Sequence, residues 1–269
     1  MKKVLLHTVM VVIAILTLLP GFWMISASLM PAGEASAYPP PFVPSEITFE
    51  HYDTLLTRLG LARYFMNSLI LSVSITVISL FFNSMAGYAF AKYRFAGRDK
   101  LFRLLVAEMV IPAQVTTLPL FLMLNKLGLV NTYAGVIVTG MATIYGIFLM
   151  RQFTLSIPDS LIEAARMDGA SEFKIYWSVI LPLCRPILVT LAIFTFVGAW
   201  SDFFWPLIVL TDDSMYTLPV ALAILAGEHV QDTELMMAGA VMTVLPVMLL
   251  FIALQRYYIQ GIMLGSVKG

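Results

Sequence analysis

Long apolar stretches recur along the chain and are separated by shorter polar segments. A helix needs about 20 mostly apolar residues to cross the hydrocarbon core of a bilayer, which is about 30 Å thick. Six windows meet this requirement, at residues 4–27, 67–91, 101–124, 133–150, 187–210 and 236–254. The fourth is the shortest, and its glycines let neighbouring helices approach closely. The pattern predicts an all-α membrane protein with six transmembrane helices.

The pattern divides the chain into four segments. Residues 1–28 hold the first predicted span, and its apolar core exceeds the about 7–15 residues of a signal peptide, so we expect an uncleaved anchor. Residues 29–66 contain "YPPPFVP", where proline blocks a helix and favours an extended crossing, and then the amphipathic "TFEHYDTLL". Residues 67–255 hold the other five spans with a polar loop at 158–185, and residues 256–269 form a tail.

Basic residues lie almost entirely on one side of this predicted topology. With the N-terminus inside, all but three of the 16 Lys and Arg residues fall on the inner side, the exceptions being Arg58, Arg63 and Lys126. Lys and Arg concentrate in cytoplasmic loops. We therefore expect both termini and the polar loop to be cytoplasmic, and residues 28–66 and 211–235 to face outward.

Composition favours an integral membrane protein over a soluble one, and the chain lacks the common catalytic motifs. The chain is 60% hydrophobic and 12% charged, about half the ~25% charged residues of a soluble domain. It has no GxxxxGK[ST] phosphate loop, no HExxH and no GxSxG, and its three histidines lie in separate segments. We therefore expect no catalytic residues, no metal site and no directly bound cofactor. The energy for any work would come from a partner or an ion gradient.

The polar loop at 158–185 carries a helical pattern. It includes "EAARMDGASEFKIYWSVILPL" at 163–183. Pro158 and a cap at Asp159 or Ser160 predict a helix over 161–167, with Ile162, Ala165 and Arg166 on one side. Gly169 permits the positive φ that ends such a helix, and a second helix follows. Spacing alone leaves two interpretations open: a solvated loop with interfacial helices, or a compact docking element for a partner.

Several motifs resemble those of a known family. Glu163-Ala164-Ala165, followed after three residues by Gly169 and then by "VILP" at 179–182, resembles the EAA motif of inner-membrane permease subunits of bacterial ABC importers. Val179 stands where that motif usually has isoleucine. "WSDFFWPLIVL" at 200–210 and "QRYYIQGIMLGSVKG" at 255–269 are similar to the carbohydrate-uptake branch, such as the smaller permease of maltose importers. The resemblance covers nearly the whole chain.

This resemblance implies a type I ABC importer permease fold with a cytoplasmic EAA coupling helix, in the bacterial inner membrane. Its implied partners are a second permease in a heterodimer, two cytoplasmic ATPases that bind ATP-Mg, and an external solute-binding protein. Glu163 would pair with a basic residue of the ATPase groove, and the small Ala164 and Ala165 would allow close approach. The remaining residues implied in ATPase coupling are Arg166, Asp168, Gly169, Ala170, Leu181 and Pro182.

Charged residues inside the spans mark candidate substrate contacts, because an unpaired charge there costs several kcal/mol. Asp202, beside Trp200 and Trp205, would accept hydrogen bonds from sugar hydroxyls while the rings pack on the sugar. Alternatively, Asp202 makes a helix–helix hydrogen bond or a cap near Pro206. Glu108, in the third window, either lines a gate or pairs with an inner basic residue, and we favour the pairing.

The C-terminal tail has two interpretations. By resemblance it reaches between the two ATPases, through Gln255, Arg256, Gly265 and Lys268. The alternative is a frayed cytoplasmic end.

The sequence favours the permease subunit of an ATP-driven sugar importer and leaves two alternatives. Permeases for glycerol phosphate or glycerophosphodiesters share these signatures. An ion-coupled secondary transporter would use Glu108 and Asp202 as ion relays. The identity of the sugar does not follow from this chain.

Overall fold

The computed structural model describes residues 2–228 and 232–266, with side chains up to residue 255. Every regular element in these ranges is helical. The chain divides into two compact units, one of Met1–Met66 and Thr217–Met248 and the other of Asn67–Tyr216 and Leu249–Gly269. The all-α prediction is confirmed.

Four helices are long and apolar enough to cross a membrane. They are α1 (Lys2–Ala27), α3 (Leu61–Lys92), the pair α6 (Tyr133–Gly140) and α7 (Ile144–Leu155), and the first part of α14 (Thr233–Ser266). Two further apolar pairs are sharply bent: α4 (Arg98–Glu108) with α5 (Ala113–Lys126) by 105°, and the Glu172–Leu183 stretch with α11 (Arg185–Trp200) by 80°. The described part of the chain therefore holds six spans when each bent pair counts as one.

The third and fifth windows are not the continuous helices that the sequence predicted. The third breaks after Glu108, because Pro112 adopts an extended conformation and has no N–H to donate to a helix. The fifth stops at Trp200 and resumes as α12 (Phe204–Val209). Pro206 explains this break, since its ring would clash in a helix with the carbonyl four residues earlier, that of Asp202.

The unit that contains α1 folds its proline-rich segment back on the end of that helix. Trp23 Nε1 donates to Pro41 O at 3.1 Å, and Ser26 Oγ donates to Phe42 O at 2.6 Å. The segment follows turns and bends, so the expected extended crossing is wrong. The amphipathic stretch is helical, with α2 (Glu50–Asp53) continuing as a π-helix over Thr54–Arg58. Helix α13 (Leu218–Glu228) was missed because its apolar run is too short to span a membrane.

In the other unit, one apolar core joins the transmembrane helices to the polar loop. Tyr88 of α3 and Met150 of α7 pack in one cluster with Ile162, Tyr176 and Ile180 of the loop. The loop helices are α8 (Asp159–Met167) and α9 (Glu172–Ile175), with α9 continuing through a π-helix (Tyr176–Ile180) into α10 (Leu181–Leu183). The polar loop is thus packed into the same apolar core as the transmembrane helices and is not surrounded by solvent alone.

Helices α3 and α7 are in close contact at Gly87. A Cβ there would come within 2.9 Å of Arg151 N, a backbone atom that no side-chain rotation can move away. We predict that Gly87→Ala lowers the free energy of unfolding by about 1–3 kcal/mol, the usual cost of overpacking. Thermal unfolding in detergent measures this, with Gly198→Ala as the matched control because no atom lies within 4 Å of its added Cβ. Equal destabilisation by both changes would contradict the prediction.

Candidate functional site

Helix α8 is a well-terminated amphipathic helix. It begins at Asp159, which is its first residue and not the predicted cap, because Pro158 holds the N-cap position in an extended conformation. Gly169 has φ +77°, as predicted. Gly169 N donates to Arg166 O and Ala170 N donates to Ala165 O, both at 3.0 Å, which is the hydrogen-bond pattern of a Schellman motif. The turn after α8 therefore depends on a residue that tolerates positive φ.

The two faces of α8 have different environments. Ile162 is buried and Ala165 packs against the same core cluster, so this face anchors the helix to its own chain. Glu163 and Ala164 are exposed on the other face, and Met167 is 88% exposed. We call Glu163, Ala164 and Met167 the outer face of α8. Sequence reasoning missed Met167, although its position four residues after Glu163 places it on the same side of a helix.

The other residues predicted to couple to an ATPase divide between surface and core. Asp168 and Pro182 are exposed, whereas Ala170 and Leu181 pack against the core cluster. Ala165 likewise turns toward its own chain, unlike its neighbour Ala164. Fewer residues of the motif are therefore available at the surface for a partner than the motif match implied.

Both ends of α8 are tied to the C-terminal end of α3. Lys92 Nζ donates to Ile157 O at 2.5 Å and to Asp159 Oδ1 at 2.6 Å. This hydrogen bond from Lys92 holds the pKa of the Asp159 carboxyl below its usual value. Tyr93 Oη donates to Glu172 Oε2 at 2.6 Å. Sequence reasoning missed Lys92 and Tyr93 because their partners lie 65 to 79 positions away.

Glu172 in turn holds the last turn of α8. Arg166 Nε donates to Glu172 Oε1 at 2.7 Å, and a second Arg166 nitrogen donates to Oε2 at 3.2 Å. A bidentate pair of this kind fixes the orientation of the guanidinium as well as its distance. Arg166 is thus an internal brace of the polar loop.

A cavity of about 490 Å³ lies within the unit of Asn67–Tyr216 and Leu249–Gly269, which also contains α8. Helices α3, α5, α6, α7, α11 and α12 contribute to its wall. Its polar lining consists mainly of hydroxyl and amide groups, from Gln114, Thr116, Thr117, Thr139, Thr143 and Thr195, with Asp202 as its one charged residue. Its aromatic lining comprises Tyr145, Phe194, Phe204 and Trp205.

Asp202 and Trp205 meet at the break in the fifth span. The Asp202 carboxylate accepts a hydrogen bond from Trp205 N at 3.3 Å, so it caps α12 and also lines the cavity. The cap foreseen for Asp202 is observed, and its position at the cavity leaves the predicted contact with a sugar as a prediction. Trp205 Nε1 is buried and has no hydrogen-bond partner among the described residues. It is a donor without an acceptor beside the cavity.

A second helix break, between α6 and α7, also contributes to the cavity wall. Thr143 caps α7 by accepting from Gly146 N at 3.1 Å, and it also lines the cavity. Asn83 of α3, fully buried, accepts from Thr143 N at 2.9 Å and donates to Thr143 Oγ1 at 3.2 Å. The amide side chain of α3 therefore positions a cavity residue.

Two residues predicted for the substrate path, Trp200 and Glu108, do not line this cavity. Trp200 is 1% exposed and stacks on Phe196, with ring centroids 5.9 Å apart, so it is a core residue. Glu108 is exposed at the end of α4, is absent from the cavity wall and forms no ion pair with a described residue. It lies at the break within the third span, four residues before Pro112. The expected pairing of Glu108 with an inner basic residue is not observed.

The tail lies at the limit of the described chain. Gln255 donates to Ile252 O within α14. Arg256, Gly265 and Lys268 lie outside the residues whose side chains the structure describes. Among the described residues, no three His, Cys, Asp or Glu side chains come together in a way that could hold a metal ion.

Comparison with known proteins places the chain in one family. Residues 83–263 match the family described as binding-protein-dependent transport system inner membrane component. The chain is 40% identical over 260 residues to the arabinooligosaccharides transport system permease protein AraQ of Halalkalibacterium halodurans, covering 96% of this chain and 93% of AraQ. It is 33% identical over 261 residues to the melibiose/raffinose/stachyose import permease protein MelC of Bacillus subtilis, covering 96% and 94%.

A solved structure confirms the fold. A chain in the crystal structure of a bacterial ABC transporter involved in the import of the acidic polysaccharide alginate superposes with a TM-score of 0.85. The two chains are 26% identical, and the match covers 96% of each.

The turn after α8 gives a test of the geometry. We predict that Gly169→Val opens this turn, because a branched side chain at φ +77° is strained by about 1–2 kcal/mol. Limited trypsin digestion in detergent should then cleave faster after Arg166 or Lys174, both of which are exposed. Gly169→Asn is the matched control, since asparagine tolerates this region. Equal cleavage of the two variants would show that the turn does not depend on φ.

Proposed function

We propose that this chain, which belongs to the family of binding-protein-dependent transport system inner membrane components, is one permease subunit of an ATP-driven importer of neutral sugars. The observation that carries the proposal is the cavity between the transmembrane helices. Hydroxyl groups, an amide, one carboxylate and four aromatic rings line it. Such groups bind sugars, because the polar groups exchange hydrogen bonds with sugar hydroxyls and the ring faces pack on the apolar faces of the sugar.

The charge of the cavity selects among substrate classes. Asp202 is the one charged residue in its described lining, and no Lys or Arg lines it. A phosphate or a uronate would approach this carboxylate in a medium of low dielectric, where like charges repel strongly. The cavity therefore favours a neutral sugar over glycerol phosphate, and over an acidic polysaccharide such as the one handled by the alginate transporter.

The energy for transport would come from outside this chain. We propose that two cytoplasmic ATPases bind ATP-Mg and dock against the outer face of α8. Glu163 offers a charge, Met167 offers exposed apolar surface, and Ala164 lets the partner approach closely. The chain itself would hydrolyse nothing. ATP binding would draw two such helices together and open the transmembrane helices outward.

The remaining partners and the orientation follow from the same proposal. A second permease would complete the path as a heterodimer, and an external solute-binding protein would deliver the sugar, in keeping with the family's description. Both termini would be cytoplasmic, by the distribution of basic residues. The tail from Gln255 onward would reach between the ATPases.

An ion-coupled secondary transporter is a weaker alternative on this geometry. The relay foreseen for such a transporter used Glu108 and Asp202 together, and Glu108 does not line the cavity with Asp202. Reconstitution in liposomes distinguishes the ATP-driven importer from the ion-coupled transporter. The complete complex, purified into liposomes, should accumulate a labelled neutral oligosaccharide only when ATP and binding protein are present. Accumulation by this chain alone under an ion gradient would reject the proposal.

Removing the cavity charge should weaken sugar recognition. We predict that Asp202→Asn lowers uptake at limiting sugar about tenfold, since a hydrogen bond to a charged acceptor contributes about 1.5–3 kcal/mol. Assembly of the complex should be unchanged, because asparagine keeps an oxygen to cap α12. Glu108→Gln is the matched control, an acid outside the cavity. Unaltered kinetics in Asp202→Asn would remove this residue from the path.

The outer face of α8 should determine ATPase binding. We predict that Glu163→Gln weakens co-purification of the ATPase at least about tenfold, because a charge of the groove loses its partner. The melting temperature of the permease should not change, since Glu163 is exposed. Glu46→Gln, an exposed acid in a different segment, is the control. Normal ATPase recovery with Glu163→Gln would place the docking surface elsewhere.

A further inference from the structure

We infer that Lys92, the last residue of α3, and Tyr93, which follows it, are the positioning residues that carry movement of α8 to the sugar cavity. The inference rests on the proposed function and adds to it the route of the coupling. Lys92 holds the start of α8 through Ile157 O and Asp159. Tyr93 holds its end through Glu172, which braces Arg166. We call this arrangement the two-point clamp.

Burial makes the first point of the clamp hard to release. The Lys92 side chain is 7% exposed, whereas that of Asp159 is 73% exposed. A buried ammonium group that lost these acceptors would be left without compensation for its lost hydration. Lys92 therefore holds the start of α8 even though its carboxylate partner faces solvent.

Two separated contacts transmit rotation as well as translation. A single contact would let α8 pivot about it when an ATPase pulls on the outer face. Asp159 is the first residue of the helix and Arg166 lies in its last turn. Lys92 ties the first end directly, and Tyr93 ties the second end through Glu172. A displacement of α8 must then displace the end of α3, or break hydrogen bonds that involve charged groups.

Helix α3 leads from the clamp to the cavity without interruption. It runs unbroken from Leu61 to Lys92 and contains no proline. At about 1.5 Å per residue, the 17 positions from Lys92 back to Ile75 correspond to about 25 Å. Ile75 lines the cavity, and Asn83 lies between the two and holds the cavity residue Thr143. A shift at the clamp therefore reaches the cavity wall at two places.

The covalent route from α8 is less direct. After α8 the chain passes through the left-handed Gly169 and a π-helix, and it then bends by 80° before α11. Each of these irregular features can absorb displacement, whereas a continuous helix resists it. The path through α3 is thus the stiffer connection between the ATPase surface and the cavity.

The test uses the complete reconstituted complex and measures sugar accumulated per ATP hydrolysed. Tyr93→Phe removes the hydroxyl that donates to Glu172, and Asp159→Ala removes the exposed carboxylate that accepts from Lys92. Each change takes away a polar contact and leaves the apolar core intact. The double variant should still bind the ATPase and hydrolyse ATP, but its sugar-to-ATP ratio should fall at least about fivefold, the lower range of measured coupling between sites. Lys92→Arg, which keeps the charge, should retain most of the ratio, whereas Lys92→Met should lose it.

Controls separate coupling from general damage. Lys100→Met removes an exposed charge on α4, away from the clamp, and should leave the ratio unchanged. A normal ratio in the double variant would overturn the inference, as would a loss that only follows a lowered melting temperature. If the unmodified complex shows no ATP-dependent uptake, the proposed function fails and the inference fails with it. An uncoupled double variant beside a working parent supports both.

Discussion

A backbone amide inside a bilayer must find its hydrogen-bond partner within the protein, and this constraint governs how the cavity is built. Helix breaks open space between the spans, and each break exposes backbone groups. At one wall Asp202 accepts from Trp205 N, and at the other Thr143 accepts from Gly146 N. The residues that satisfy the backbone also face the cavity. The side chains that cap these helices are therefore also side chains of the cavity wall.

The polar loop at 158–185, which carries the EAA motif, meets two structural requirements at once. A polar segment that transmits force must be anchored to the spans and still present a surface to a partner. Helix α8 meets both needs with opposite faces, since Ile162 is in the core and Glu163 is exposed. Its ends are braced by charged groups, where small movements cost hydrogen bonds. The core contact provides attachment and the polar contacts provide orientation.

Two charged groups act at separate sites of the molecule, one in the cavity and one in the two-point clamp. The cavity carries one described carboxylate and no cation, which favours a neutral substrate. The clamp carries a buried ammonium whose removal from its partners would be costly. Both charges act through hydrogen bonds in which at least one partner is partly buried. Their effects are larger there than those of the many exposed charges.

Local pattern was enough to predict the helices, the amphipathic α8 and the turn at Gly169, because hydropathy and φ preference are properties of neighbouring residues. The same reasoning could not decide which of Trp200 and Trp205 lines the cavity, or which of Glu108 and Asp202 does, since both members of each pair lie in apolar windows. Tertiary structure decided these cases, because Pro112 and Pro206 break their helices and so redirect the side chains nearby. It alone brought Lys92 to Asp159, 67 positions away. A contact at that separation depends on how the helices pack, and packing is a property of the whole fold.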